Sequence, residues 1–160
     1  MLDMETPTHQ LDDTDLWIIK QLQIDSRTQY RQLAKETGKS LGTIANRIQK
    51  LHENGVLNNW SIMVDPEKLG FDLTIVINIE IDVKFLDEIN KQIRQIQELF
   101  AIYNVTGNFD IIAFGRFYNR EHLDRVIHRI INIQHIRRTS SNVVLRNLKE
   151  DFRVYFPGDE

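Results

Sequence analysis

The sequence contains no cysteine, and that absence removes several chemistries at once. Disulfide scaffolds, thiolate zinc sites, cysteine-held iron–sulfur clusters and cysteine nucleophiles are all excluded. Long apolar runs are missing too: no stretch approaches the roughly 20 residues needed to span a bilayer. Met1 to Gln10 carries Asp3 and Glu5 and has no apolar core of leader length, so secretion is not expected. Nor is there an excess of positive charge. The chain holds 20 basic and 23 acidic side chains, a net charge of −3, which argues against a non-specific nucleic-acid coat. What is present is an ordinary globular composition, 41% hydrophobic and 27% charged. Disorder is therefore excluded, and a cytosolic protein of one full or two small domains is expected, with residues 1–10 flexible.

The charges are unevenly distributed. Residues 1–25 hold six acids (Asp3, Glu5, Asp12, Asp13, Asp15 and Asp25) and one base, Lys20. Residues 26–50 reverse this, with Arg27, Arg31, Lys35, Lys39, Arg47 and Lys50 against Glu36 alone. Such a polarity change over adjacent segments points to a local anionic partner.

Three short helices fit residues 11–54. Leu11, Ile18, Ile19 and Leu22 share one face of the first, whose positive amino end carries Asp12, Asp13 and Asp15. A second helix from about Gln29 to Thr37 buries Tyr30, Leu33 and Ala34, with Thr28 read as its cap. Gly38-Lys39 forms a tight turn, and Ser40 caps a third helix that Gly55 ends. Ile44, Ile48 and Leu51 fall at i, i+4 and i+7, a buried stripe, while Gly42, Thr43, Asn46, Arg47 and Lys50 occupy the other side. Two helices joined by a glycine turn, the second polar and basic outside, make a helix-turn-helix. A three-helix mini-bundle with a solvated basic face fits the same spacing, because exposed lysines and arginines are ordinary. The mixture on the third helix favours nucleic acid: Asn reads adenine edges, Arg guanine or phosphate, and Thr either.

After a connector at 58–70, with an extended stretch expected at Ser61–Val64, the period changes. Ile75, Ile77, Ile79 and Ile81 alternate along a half-buried strand from Thr74 to Asp82. Leu86, Ile89, Ile93 and Ile96 mark a helix, Ile102–Val105 a strand, Gly107–Asp110 a turn and Ile111–Phe117 a further strand. Leu123, Val126, Ile127, Ile130 and Ile131 give another helix and Val143–Leu145 a last strand. The order β-α-β-β-α-β is the ferredoxin-like arrangement, with both helices on one sheet face. The opposite face is expected to pack against a second copy. Phe152–Phe156 is read as adding or covering an edge strand. The expected fold is therefore α+β, with a helix-turn-helix domain at 1–57, the connector at 58–70 and a ferredoxin-like domain at 71–160.

With these elements laid out, the sequence resembles the Lrp/AsnC (leucine-responsive/asparagine regulator) family of transcription factors. The resemblance rests on Leu11-Asp12 with Asp15, Asp25-Ser26-Arg27, Leu33-Ala34, Gly38-Lys39-Ser40, Arg47-Ile48-Gln49-Lys50-Leu51 and Asn54-Gly55-Val56-Leu57. It continues in Val105-Thr106-Gly107-Asn108-Phe109-Asp110 and in Arg138-Thr139-Ser140-Ser141 before Val143-Val144-Leu145. Two positions depart from the family pattern: Gln29 replaces a small hydroxyl residue and Ser141 a threonine. The resemblance implies a winged-type helix-turn-helix joined to an effector-binding, oligomerising domain, in dimers that assemble to tetramers or octamers. It places DNA reading at Ser40, Gly42, Thr43, Asn46, Arg47 and Lys50. It places a small amino acid or related metabolite between dimers, near Thr106, Gly107, Asn108 and Asp110 and near Thr139, Ser140 and Ser141. No other cofactor, no metal and no membrane is implied.

The chemistry of these residues suits both roles. Arg47 and Lys50 are expected on phosphate or guanine, and Thr43 and Asn46 on base edges. A dimer would set its recognition helices about one DNA turn apart, near 34 Å or a multiple. At the second site, glycine lets backbone amides approach a carboxylate, Asp110 offers a counter-charge to an ammonium group, and the three hydroxyls bond either end. The same loop also fits a plain β-turn whose aspartate bonds its own backbone. Among enzymes, the five histidines His9, His52, His122, His128 and His135 form no HExxH motif, and GxGxxG, P-loop and GxSxG motifs are absent. Two alternatives stand: a tetrapyrrole decarboxylase, since one such group looks like this family, and a DNA-organising protein that needs no effector.

Overall fold

The computed structural model describes residues 11–156; the expectation for residues 1–10 lies outside them. The chain divides into two compact units, Met1–Met63 with Phe152–Glu160, and Val64–Asp151.

The first unit holds α1 (Asp13–Ile24), α2 (Tyr30–Thr37) and α3 (Leu41–Glu53). An eight-residue helix such as α2 is unstable alone in water, so packing must hold it. Leu33 and Ala34 supply that packing, meeting Ile18, Ile19 and Leu22 of α1 and Ile44, Ile48 and Leu51 of α3 in one core. Each fully buried isoleucine or leucine there contributes about 1.5–3 kcal/mol. Gly38, at φ 67°, ends α2 in the left-handed conformation that glycine adopts without strain, and so sets the turn into α3. Ser40 caps α3 as expected, accepting the Thr43 N–H at 3.1 Å. Thr28 does not cap α2. Its hydroxyl donates to the Asp25 carbonyl at 2.7 Å, closing the preceding turn, and Gln29 takes the cap position without a side-chain bond.

The second unit is a four-stranded antiparallel sheet in the order β2-β3-β1-β4, formed by β1 (Leu73–Ile81), β2 (Leu99–Asn104), β3 (Ile111–Phe117) and β4 (Ile136–Val143). Helices α4 (Leu86–Ile93) and α5 (Arg120–Ile131) complete the β-α-β-β-α-β order. Ile75, Ile77, Ile79 and Ile81 form the centre of a core with Ile89, Ile93, Ile111, Ala113, Phe117, Val126 and Ile130. The other sheet face carries Val76, Asn78 and Glu80 of β1, Ile112, Phe114 and Arg116 of β3, and the exposed Phe100 and Tyr103 of β2.

Three further expectations are corrected, besides that of a buried Tyr30, which is exposed. The last strand is Ile136–Val143 rather than Val143–Leu145, because its partner β1 pairs from Ile81↔Ile136 to Ile75↔Val143. Phe152–Phe156 joins no sheet and groups with the first unit: Phe156 packs against the helical core, and the Val154 backbone exchanges two hydrogen bonds with the Gln23 amide at 2.7 and 3.0 Å. Ser61–Val64 forms no strand among the described residues, with Ile62, Met63 and Val64 all exposed.

Candidate nucleic-acid interface

The outward side of α3 follows from its inward side. With Ile44, Ile48 and Leu51 buried, successive residues rotate by about 100°, and Gly42, Thr43, Asn46, Gln49, Lys50 and Glu53 come out exposed. The Ser40 and Thr43 hydroxyls lie 2.8 Å apart in a hydrogen bond, so the first turn presents a fixed pair of oxygens. One turn further, the Asn46 amide has no partner among the described residues, while Gln49 Nε2 donates to Glu53 Oε1 at 2.8 Å. The sequence reading passed over Gln49, although its spacing of three from Asn46 puts it on the same face. Arg31, Lys35, Lys39 and Lys50 are exposed and make no ion pair among the described residues.

Arg47 lies elsewhere. It flanks the core stripe, and its Nη1 donates to Asp12 Oδ2 and to Asp15 Oδ1, both at 2.8 Å. The two carboxylates also close the cap of α1. The Asp15 N–H donates to Asp12 Oδ1 at 2.9 Å, and the Asp12 N–H to Asp15 Oδ2 at 3.2 Å. Each carboxylate thus spends one oxygen on the cap and the other on Arg47. Asp15, 3% exposed, is the one buried charged residue among those described. A buried carboxylate is stable only when paired and hydrogen-bonded, and breaking such a pair costs about 3–5 kcal/mol, less where one partner stays partly wet. The Asp15 N–H and then the Arg47 guanidinium hold the Asp12 carboxyl below its usual range; the hydrogen bonds that Arg47 donates to Asp15 and to Asp12 raise its guanidinium. An Asp-x-x-Asp cap beside an arginine at the rim of a buried stripe was the available sequence signal for this ring.

In the second unit, Thr106, Gly107 and Asn108 are exposed in the loop between β2 and β3, with Gly107 at φ 122°, a conformation that favours glycine. Asp110 is tied to β1: its N–H donates to the Ile79 carbonyl at 3.0 Å, and its Oδ2 accepts the Ile81 N–H at 2.8 Å. Across β1, Thr139 pairs with Ile79, Ser140 with Asn78 and Ser141 with Ile77. Thr139 and Ser141 therefore share the helix-covered face, and Ser140 lies on the open one. The Arg138 guanidinium sits 5.1 Å from the Phe109 ring centroid and 3.4 Å from Glu80, bridging the loop and β4 at one end of the sheet.

Residues 11–52 match the AsnC-type helix-turn-helix domain, and residues 74–154 the Lrp/AsnC ligand binding domain. The chain belongs to the Lrp/AsnC family of transcriptional regulators. It is 40% identical over 144 residues to an uncharacterised HTH-type transcriptional regulator of Pyrococcus abyssi, covering 90% of this chain and 98% of that one. Escherichia coli AsnC matches in structure with a TM-score of 0.83 at 28% identity, over 92% of this chain and 99% of the other. The leucine response regulatory protein LrpA of Mycobacterium tuberculosis gives 0.84 at 26% identity, over 92% and 100%. The Lrp/AsnC family comprises transcriptional regulators and not enzymes, so the decarboxylase alternative is set aside. No helix among the described residues is long and apolar enough to cross a membrane.

Proposed function

We propose that this Lrp/AsnC regulator binds specific duplex sites by laying α3 in the major groove, and that a small amino acid modulates it. The observation that carries the reading is the exposed side of α3, where Thr43, Asn46 (without a partner among the described residues) and Lys50 stand on a helix held by a three-way core. Ser40 and Gly42 open that side at the end where HTH recognition helices meet base edges. Thr43 and Asn46 touch bases, Gln49 joins them, and Lys50 neutralises phosphate.

The effector binds near Thr106, Gly107, Asn108 and Asp110 and near Thr139, Ser140 and Ser141, which lie on two sides of the same stretch of β1, Ile77 to Ile81. Because Asp110 already holds the Ile81 N–H, it acts there chiefly by fixing the loop. The open sheet face supports a homodimer: Phe100 and Tyr103 are exposed on it, with Phe114 between them at 6.2 Å from each ring. Assembly to tetramers or octamers places further effector contacts between dimers. The effector shifts DNA affinity only as far as it prefers one assembly over another, typically about 1–3 kcal/mol.

Selection of bound fragments from random-sequence DNA, with and without free amino acids at millimolar concentration, tests both halves. The expected result is a short imperfect palindrome whose recovery changes with one amino acid. Absence of any enriched sequence refutes specific recognition; indifference to every amino acid leaves the DNA-organising alternative instead.

A further inference from the structure

We propose that Arg47 is a positioning residue of the helix-turn-helix, which orients α3 for the groove through its pairing with α1 and makes no contact with DNA. The inference rests on the reading that α3 enters the groove, and narrows which of its side chains do so. Four hydrogen bonds close a ring through Arg47, Asp12 and Asp15. They join the first turn of α1 to the middle of α3. Both bonds are made by Nη1, so turning that nitrogen to a phosphate would take Arg47 from both carboxylates, and Asp15, 3% exposed, would then keep its charge without a cationic partner. Lys50 has no such obligation: it is exposed and unpaired among the described residues. Of the two cations on α3, the lysine faces the ligand and the arginine holds the scaffold. Arg47 stands one residue before Ile48 and one after Asn46, so the direction in which the ring pulls α3 sets the angle at which Asn46 and Thr43 meet the base edges.

The role separates from that of a phosphate contact by salt dependence and by the sign of one substitution. The probe is the fragment that the wild-type protein selects from random DNA, compared with a scrambled duplex of equal length. Arg47→Met is expected to lower the ratio of specific to non-specific affinity about tenfold, as when one base pairing is lost, and to leave the slope of log affinity against log salt unchanged. Lys50→Met is expected to weaken both duplexes and reduce the slope by about 0.9. Asp12→Asn guards against a failure of Arg47→Met to fold, since asparagine caps a helix as well as aspartate and only the pairing to Arg47 is weakened. Removing that negative charge is expected to weaken specific binding several-fold, whereas an Arg47 freed to meet phosphate would bind more tightly. Loss of slope in Arg47→Met, or tighter or unchanged specific binding in Asp12→Asn, overturns the assignment. If α3 does not enter the groove at all, Asn46→Ala and Lys50→Met both keep wild-type binding, and the assignment falls with its premise in a recognisably different way.

Discussion

Of the side chains proposed to read bases, Asn46 is the most directly exposed to a test, and Asn46→Ala isolates its contribution. The residue is exposed, mid-helix, and its amide meets no protein group among the described residues, so nothing in the fold is lost when it is cut back. Alanine is the better helix former by about 0.5 kcal/mol, and thermal stability should stay level or rise slightly. Binding should behave in the opposite way. A bidentate amide–adenine pairing carries about 1–3 kcal/mol of discrimination, equivalent to roughly 5- to 150-fold in affinity. The side chain is neutral, so the salt slope and the affinity for scrambled DNA should not move. The assay is a titration of wild type and variant against the selected duplex and a set carrying single base-pair changes. The expected pattern is a loss confined to one position of each half-site, at which the variant no longer distinguishes A·T from its alternatives. An unchanged discrimination profile, with the variant folded, would refute the groove reading and return α3 to a solvated helix face.

Other consequences are independent of DNA. A Cβ added at Gly115 would lie 2.6 and 2.8 Å from ring atoms of the fully buried Phe117 and 3.1 Å from Leu99; Gly115→Ala should destabilise the sheet unit by about 1–3 kcal/mol in urea unfolding. Asp12, Asp25 and Asp82 are held below their usual 3.8, by the Asp15 N–H, the Arg27 guanidinium and the Lys84 N–H respectively. Burial pushes Glu98 up, but its own backbone N–H, Arg129 and His122 outweigh it and leave it below 4.5. Groups with depressed folded values stabilise the native state above their unfolded values and lose that contribution as pH falls through the folded ones. The urea midpoint should thus be flat for these groups down to about pH 5 and fall below about pH 4; a midpoint rising on acidification contradicts the assignments. Gln23→Ala removes both amide bonds to Val154, each worth about 0.5–1.5 kcal/mol at most, and should speed tryptic cleavage at Arg153 without exposing the helical core.

Most of the fold was legible because its strongest elements carry an unmixed period. β1 carries isoleucine at every second position from Ile75 to Ile81, and α3 repeats its apolar positions at helical spacing, so tertiary packing and local pattern agree. β4 fails that test. Between Ile136 and Val143 it reads Arg-Arg-Thr-Ser-Ser-Asn, with no apolar alternation, because it is an edge strand that places Thr139 and the exposed Ser141 opposite Ile79 and Ile77. Only its pairing with β1 makes it a strand, and pairing is not written in a strand's own sequence. Thr28 and the carboxyl segment illustrate the same limit. A threonine before a helix has the chemistry of a cap, yet the nearer Asp25 carbonyl claimed its hydroxyl. An aromatic at Phe156 announces burial without saying in which of two cores.

The charge pattern is where sequence and structure part most instructively. An acidic stretch followed by a basic one points to one local anionic partner, but the two stretches in part answer each other. Asp25 pairs with Arg27 at 3.1 Å, and Asp12 and Asp15 take Arg47. Arg31, Lys35, Lys39 and Lys50 remain as exposed cations without an acidic partner among the described residues. A helical wheel puts Arg47 at the boundary between core and solvent, where either fate is sterically open, and composition cannot choose between them. The choice is made by Asp15. Once its carboxylate is committed to capping α1 and buried against the core, a cation must come to it, and the arginine midway along α3 is the group within reach. On the proposed reading, the affinity of this unit for phosphate would therefore rest on fewer charges than its sequence carries, and a larger share of the discrimination would fall to the uncharged Thr43, Asn46 and Gln49.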